Sequence, residues 1–113
     1  MRERSRRCAV DLFVYGTLMD DALVMQLTGR RFRKEPARLP AYRKVAPEDD
    51  YPYIVRDGAC VVEGFVLCDL DEEALRAFDL YEDERLYRRA PVTVDLGGTP
   101  RECLVYVRRD DGG

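Results

Sequence analysis

The sequence predicts an α+β domain, a curved and mostly antiparallel sheet covered by two helices. Three observations point there. Apolar residues alternate with period two in short runs: Val10, Leu12 and Val14; then Ala90, Val92, Val94 and Leu96; then Cys103, Val105 and Val107. Glycine turn signals, Asp57-Gly58 and Gly97-Gly98, stand where extended runs meet. Ala74, Leu75, Phe78 and Tyr81 recur at helical spacing. At 113 residues the chain makes one domain, large enough to bury about two thirds of the surface its unfolded form exposes.

Taken in order, residues 1–9 form a basic, solvated and flexible arm, residues 10–109 the domain, and residues 110–113 a tail. In the first strand Val10, Leu12 and Val14 alternate with Asp11, Phe13 and Tyr15, which gives it two distinct faces. Gly16 then permits a sharp turn and close approach of another molecule to the main chain. Thr17, Leu18 and Met19 follow with N–H groups not yet committed to a ladder, an arrangement that can hold an anion or an oxyanion. An ordinary strand-to-loop transition reads the same way locally. Asp20 or Asp21 caps a short helix carrying Leu23, Val24 and Leu27, and Gly29 stops it.

Phe32 to Val45 reads as extended segments broken by Pro36 and Pro40, and a polar loop from Pro47 to Pro52 leads into Tyr53-Ile54-Val55. Asp57-Gly58 is expected to turn the chain into an apolar strand from Ala59 to Cys68, in which Gly64 marks a bulge or a close backbone approach. Asp71 caps the second helix, with Glu72 and Glu73 favourably placed at its positive end. Two strands joined at Gly97-Gly98 complete the domain.

Composition narrows the chemistry. The chain contains no histidine, which rules out Ser-His-Asp and Cys-His catalysis and imidazole as a general base. No G-x-G-x-x-G or G-x-x-x-x-G-K-[ST] fingerprint is present. Four cysteines, Cys8, Cys60, Cys68 and Cys103, are far apart with no C-x-x-C. The last three lie in apolar strand patterns and read as buried thiols of a cytoplasmic protein. The basic N-terminal arm is followed by no long apolar run, so it is not read as a secretory signal, and no run is long enough to span a membrane. With 19 basic and 22 acidic residues the net charge is −3, which argues against a nucleic-acid partner.

The segment Phe13-Val14-Tyr15-Gly16-Thr17-Leu18-Met19 resembles the signature of the γ-glutamyl cyclotransferase family (AIG2-like, γ-glutamylamine cyclotransferase-like), whose strand ends in Tyr-Gly-Thr/Ser-Leu. Further matches follow in the family's order. Pro36 to Tyr42 resembles "A-x-L-x-G-Y", with Ala41 in the usual glycine place. Tyr51 to Val55 resembles "Y-P-x-L/I-V", and Val62 to Val66 resembles "V-x-G-x-L/V". Phe78 to Glu82 and Tyr87 to Val94 resemble "L-D-x-Y/F-E…Y-x-R-x-x-V-x-V". Together they run from about Leu12 to Val107. The resemblance implies a small mixed β-barrel, and it implies an enzyme that needs no metal or cofactor.

Glu82 is the candidate catalytic residue. From the residues alone it is a solvated acidic helix end; the resemblance places it where the family carries its general acid/base. Its neighbours Asp79, Asp83 and Glu84 are expected to raise its pKa by like-charge repulsion. The family commonly has glycine after this glutamate, and here Asp83 stands there. The resemblance further implies that Tyr15, Gly16, Thr17 and Leu18 bind the glutamyl group through backbone amides. Tyr87 and Arg88 fall in the stretch that resembles "Y-x-R" and are taken from it as substrate-binding residues; they read otherwise as an exposed strand-edge pair. Tyr53 and Tyr51 either wall the pocket or pack in the core, and Glu63 points to solvent.

The implied reaction is intramolecular. The α-amine of a γ-glutamyl amine or γ-glutamyl amino acid attacks its own γ-carbonyl and closes 5-oxoproline, releasing the free amine. Two other readings stay open: a carboxylate-dependent hydrolase on the same scaffold, told apart by free glutamate as product, and a non-catalytic small-molecule binding domain.

Overall fold

A computed structural model describes residues 9–48 and 52–109. Five strands close into a barrel in the order β1 (Val10–Val14), β3 (Tyr53–Leu70), β2 (Lys34–Val45), β4 (Tyr87–Leu96) and β5 (Thr99–Arg108). Every pairing is antiparallel except the closing one, β1 with β5, which is parallel through Leu12↔Leu104 and Phe13↔Val105. Helices α1 (Asp21–Thr28) and α2 (Glu72–Glu82) lie outside the barrel wall, and no helix among the described residues is long and apolar enough to cross a membrane.

The period-two alternation sorts side chains into two cores. Phe13 and Tyr15 point into the barrel with Leu39, Ile54, Val66 and Val105. Leu12 and Val14 point the other way, onto Leu18, Val24, Leu75 and Phe78 of the helical layer. A strand with both faces buried reads as nearly continuous apolar sequence, and β1 does from Leu12 to Tyr15.

Both helices are capped as their sequences require. The Asp20 side chain accepts from the Ala22 N–H at 2.9 Å, and the Asp71 side chain accepts from the Ala74 N–H at 3.0 Å. Gly29 ends α1 with a φ of 74°. Gly97 and Gly98, both at positive φ, make the β4–β5 turn, and Asp95 accepts from the Gly98 N–H at 2.7 Å.

Three expectations are corrected. Pro36 and Pro40 do not interrupt the chain: both lie within β2, opposite Phe65 and Val61. A proline removes one donor, and this strand loses little because its pairing with β4 is confined to Arg38↔Asp95. Asp57-Gly58 does not reverse the chain either. β3 runs through it, and Ala41 alone faces residues 57–60, between the pairs Pro40↔Val61 and Tyr42↔Arg56. The turn chemistry serves a bulge, in which the Asp57 side chain accepts from the Ala59 N–H at 3.1 Å and pairs with Arg43. Cys60, expected to be buried, is partly exposed at this bulge, whereas Cys68 and Cys103 are buried thiols.

Gly64 marks a close approach. A Cβ there would lie 2.2 Å from the Val14 carbonyl oxygen and 2.9 Å from Phe13 Cζ. Glu63, next to it, is exposed, as the alternation predicts.

Candidate active site

The site forms where β1 ends. Beyond Val14 the ladder stops, and Thr17–Met19 winds one 3₁₀ turn, with the Met19 N–H donating to the Gly16 carbonyl at 3.0 Å and the Asp20 N–H to the Thr17 carbonyl at 3.1 Å. A helical turn leaves its first N–H groups unused. Those of Thr17 and Leu18 therefore have no partner among the described residues. Lys34, at the start of β2, fixes the far end of the turn: its Nζ donates to the Met19 carbonyl at 2.9 Å and pairs with Asp21 at 3.0 Å. Buried Leu18 anchors the turn in the helical layer.

Glu82 reaches this turn from the other end of the sequence. It is the last residue of α2, whose Ala74, Leu75 and Phe78 are buried against the barrel wall. That packing directs the C-terminal end of α2 to the end of β1, and Tyr81 and Thr17 share a side-chain hydrogen bond of 2.8 Å across the join. One cavity results, lined by Phe13, Val14, Tyr15, Gly16, Thr17, Leu18, Pro52, Glu82 and Tyr106. Its void is about 20 Å³, room for one water molecule.

Burial pushes the Glu82 carboxyl up from 4.5 to about 7. The expected cause, repulsion from neighbouring acids, is corrected. Asp79 is paired with Arg89 at 3.0 Å, Asp83 with Arg85 at 3.2 Å, and Glu84 is exposed to solvent, so desolvation is what remains. The Tyr15 phenol is also pushed up, chiefly by burial and then by the Glu82 charge. Its hydroxyl donates to the Tyr106 backbone carbonyl at 2.8 Å.

Asp83 follows Glu82 with a φ of 71°, a backbone region costly for a residue with a Cβ. The Leu86 and Tyr87 N–H groups donate to its carbonyl, and its own side chain accepts from the Arg85 N–H at 3.1 Å. The chain thus turns sharply after Glu82 without the glycine that the family pattern has there.

Of the residues singled out in the sequence, Tyr15, Gly16, Thr17, Leu18 and Glu82 line the cavity. Tyr53, Tyr87 and Arg88 do not. Tyr53 is partly buried at the start of β3, 4.8 Å under the Arg108 guanidinium. Tyr87 is buried in the helical-layer core rather than at an exposed edge. Period two then obliges Arg88 to face solvent, and it is exposed. Tyr51 lies outside the described residues. Sequence reasoning missed Tyr106 in the wall, and took Asp79, which accepts the Tyr106 hydroxyl at 2.7 Å, only as a charged neighbour of Glu82. The one available signal for Tyr106 was its place between Val105 and Val107, on the opposite face of β5.

A closed five-stranded barrel, with a helix that brings a half-buried carboxylate to a turn of free backbone donors, defines a small α+β protein with a carboxylate-and-amide site. The chain belongs to the family described as gamma-glutamyl cyclotransferase, AIG2-like, which matches residues 12–112. AIG2-like protein C of Arabidopsis thaliana is 33% identical over 112 residues, covering 95% of this chain and 64% of its own length. The gamma-glutamylcyclotransferase and putative RNase of Methanocaldococcus jannaschii is 26% identical, over 95% of this chain and 50% of its own length. A solution structure from Arabidopsis thaliana shares the fold with a TM-score of 0.83 at 24% identity, covering 93% of this chain and 65% of that one. The chain spans less than two thirds of the length of each of these three relatives.

Proposed function

We propose that the protein is a γ-glutamyl cyclotransferase, converting a γ-glutamyl amine or γ-glutamyl amino acid into 5-oxoproline and a free amine, with Glu82 as general base and then general acid. One observation carries the reading: Glu82, with its pKa raised to about 7, lines the same cavity as the turn that leaves the Thr17 and Leu18 N–H groups free.

Each step has a group to perform it. The unpartnered N–H groups bind the substrate α-carboxylate, as the start of a helical turn binds anions. Holding the glutamyl chain curled puts its amine over its own γ-carbonyl, and such proximity is worth effective molarities of ~10⁵ M or more. The substrate ammonium, with a pKa of about 8, must lose a proton before it attacks. A carboxylate poised near 7 accepts that proton and, once protonated, returns it to the departing nitrogen.

The test is a panel of γ-glutamyl amino acids and γ-glutamyl amines, with products identified by mass. Release of 5-oxoproline supports the reading. Release of free glutamate instead would mean that Glu82 activates water, and no turnover of any member would leave a binding domain.

A further inference from the structure

The cyclotransferase reading leaves a chain of polar groups behind the cavity wall without a role. Tyr106 lines the cavity and is 4% exposed. Its hydroxyl is 2.7 Å from Asp79 Oδ1, and Arg89 Nη2 donates to Asp79 Oδ2 at 3.0 Å. Asp79 is 14% and Arg89 30% exposed at the side chain. Three polar side chains held in series on α2, β4 and β5 restrict one another far more than a surface pair would.

The direction of the bonds is determined. Arg89 only donates, and an Asp paired with it is a carboxylate that only accepts. The Tyr106 hydroxyl therefore gives its single proton to Asp79. Its oxygen keeps lone pairs and has no proton left to donate to a second partner. The phenol lies close enough to Glu82 to feel that carboxylate's charge. A phenol in this state accepts hydrogen bonds and repels other acceptors.

We propose that the Arg89–Asp79 pair locks the Tyr106 hydroxyl as an acceptor for the α-ammonium of the bound glutamyl group. Tyr106 would then be a ligand contact, and Asp79 and Arg89 positioning residues. The site would thereby select γ-glutamyl compounds with an unblocked α-amine already at the binding step. This rests on the cyclotransferase reading for the identity of the ligand.

The test separates the two. L-glutamine and glutaramate differ only by the α-ammonium, and binding of each is followed by NMR chemical-shift titration of the folded protein. A hydrogen bond to a charged group is worth enough for wild-type protein to favour L-glutamine by roughly tenfold or more. Tyr106→Phe deletes one oxygen. It should bring the two dissociation constants within about twofold of each other. Asp79→Asn offers Tyr106 an amide donor, frees its proton to point elsewhere, and should remove the preference in the same way. The double variant should be no worse than either single one, a non-additivity that unrelated packing defects would not produce. A preference that survives in Tyr106→Phe overturns the proposal, and so does a wild-type protein that binds both compounds equally or binds neither. The preference is read without turnover, so its presence in a protein that releases no 5-oxoproline would retain the ammonium contact and overturn the cyclotransferase reading.

Discussion

Replacing Glu82 by glutamine tests the burial of the carboxyl directly, because it changes the pH dependence of stability as well as activity. Moving a carboxyl from 4.5 to about 7 penalises its ionised form by roughly 3 kcal/mol, at 1.36 kcal/mol per pH unit. The group titrates at about 4.5 in the unfolded chain and about 7 in the folded one, so between these values the folded state holds the extra proton. Stability from this group is then full below pH 4.5 and is lost as pH rises through 7. A glutamine amide at this position does not titrate. Relative to wild type, Glu82→Gln should therefore gain stability progressively from pH 4.5 to 7, by about 3 kcal/mol in all, and hold that gain at higher pH. Any constant offset from burying the amide cancels when only the pH dependence is compared. Urea unfolding of both proteins at pH 4.5, 6, 7 and 8 measures it. The same substitution should lower turnover by ~10²-fold or more, as loss of a general base does. A stability difference that stays flat across this range would refute the burial of the carboxyl, and near-wild-type activity would refute its role.

Three further outcomes are expected. Gly16→Val places a Cβ 3.1 Å from Pro52 Cγ, with two methyl groups beyond it, and should abolish binding of 5-oxoproline in calorimetry while thermal unfolding remains cooperative. Gly64→Ala drives a Cβ to 2.2 Å from the Val14 carbonyl oxygen, and should cost about 3 kcal/mol or more in denaturant unfolding, since neither backbone can withdraw from a closed barrel. Ala41→Gly and Asp83→Gly remove side chains from backbone at φ of 67° and 71°; each should raise stability by up to about 1 kcal/mol, and a loss in both would show that these positions are unstrained.

The last pair bears on how much of the molecule its sequence revealed. The family pattern has glycine at both places, and this chain has Ala41 and Asp83, each held at positive φ. Sequence marks the positions as unusual, but only the folded backbone shows that the conformation persists without glycine. It persists because neighbouring bonds over-determine it, Asp83 being held by Leu86, Tyr87 and Arg85.

The local elements were legible because their causes are local. Caps at Asp20 and Asp71, the stop at Gly29, the turn at Gly97-Gly98 and the two-faced β1 each follow from a few adjacent residues. Where the sequence reading went wrong, a non-local partner decided. Pro36 and Pro40 stay in a strand because β3 pairs along it, and Asp57-Gly58 becomes a bulge because β3 must remain in register on both sides. The site divides in the same way. Tyr15 to Leu18 and Glu82 were picked out by short motifs, and Asp79 stands in the same motif as Glu82, whereas Tyr106 carries no mark beyond strand alternation.

The sequence by itself excluded imidazole chemistry, having no histidine, and its resemblance to a known family singled out Glu82 and the turn from Tyr15 to Leu18. Only the tertiary structure decided that they meet and why Glu82 titrates near 7. Barrel closure and the packing of α2 set the first, and the pairing of Asp79 and Asp83 with arginines leaves burial to set the second, because desolvation depends on everything that surrounds a group and not on its neighbours in the chain.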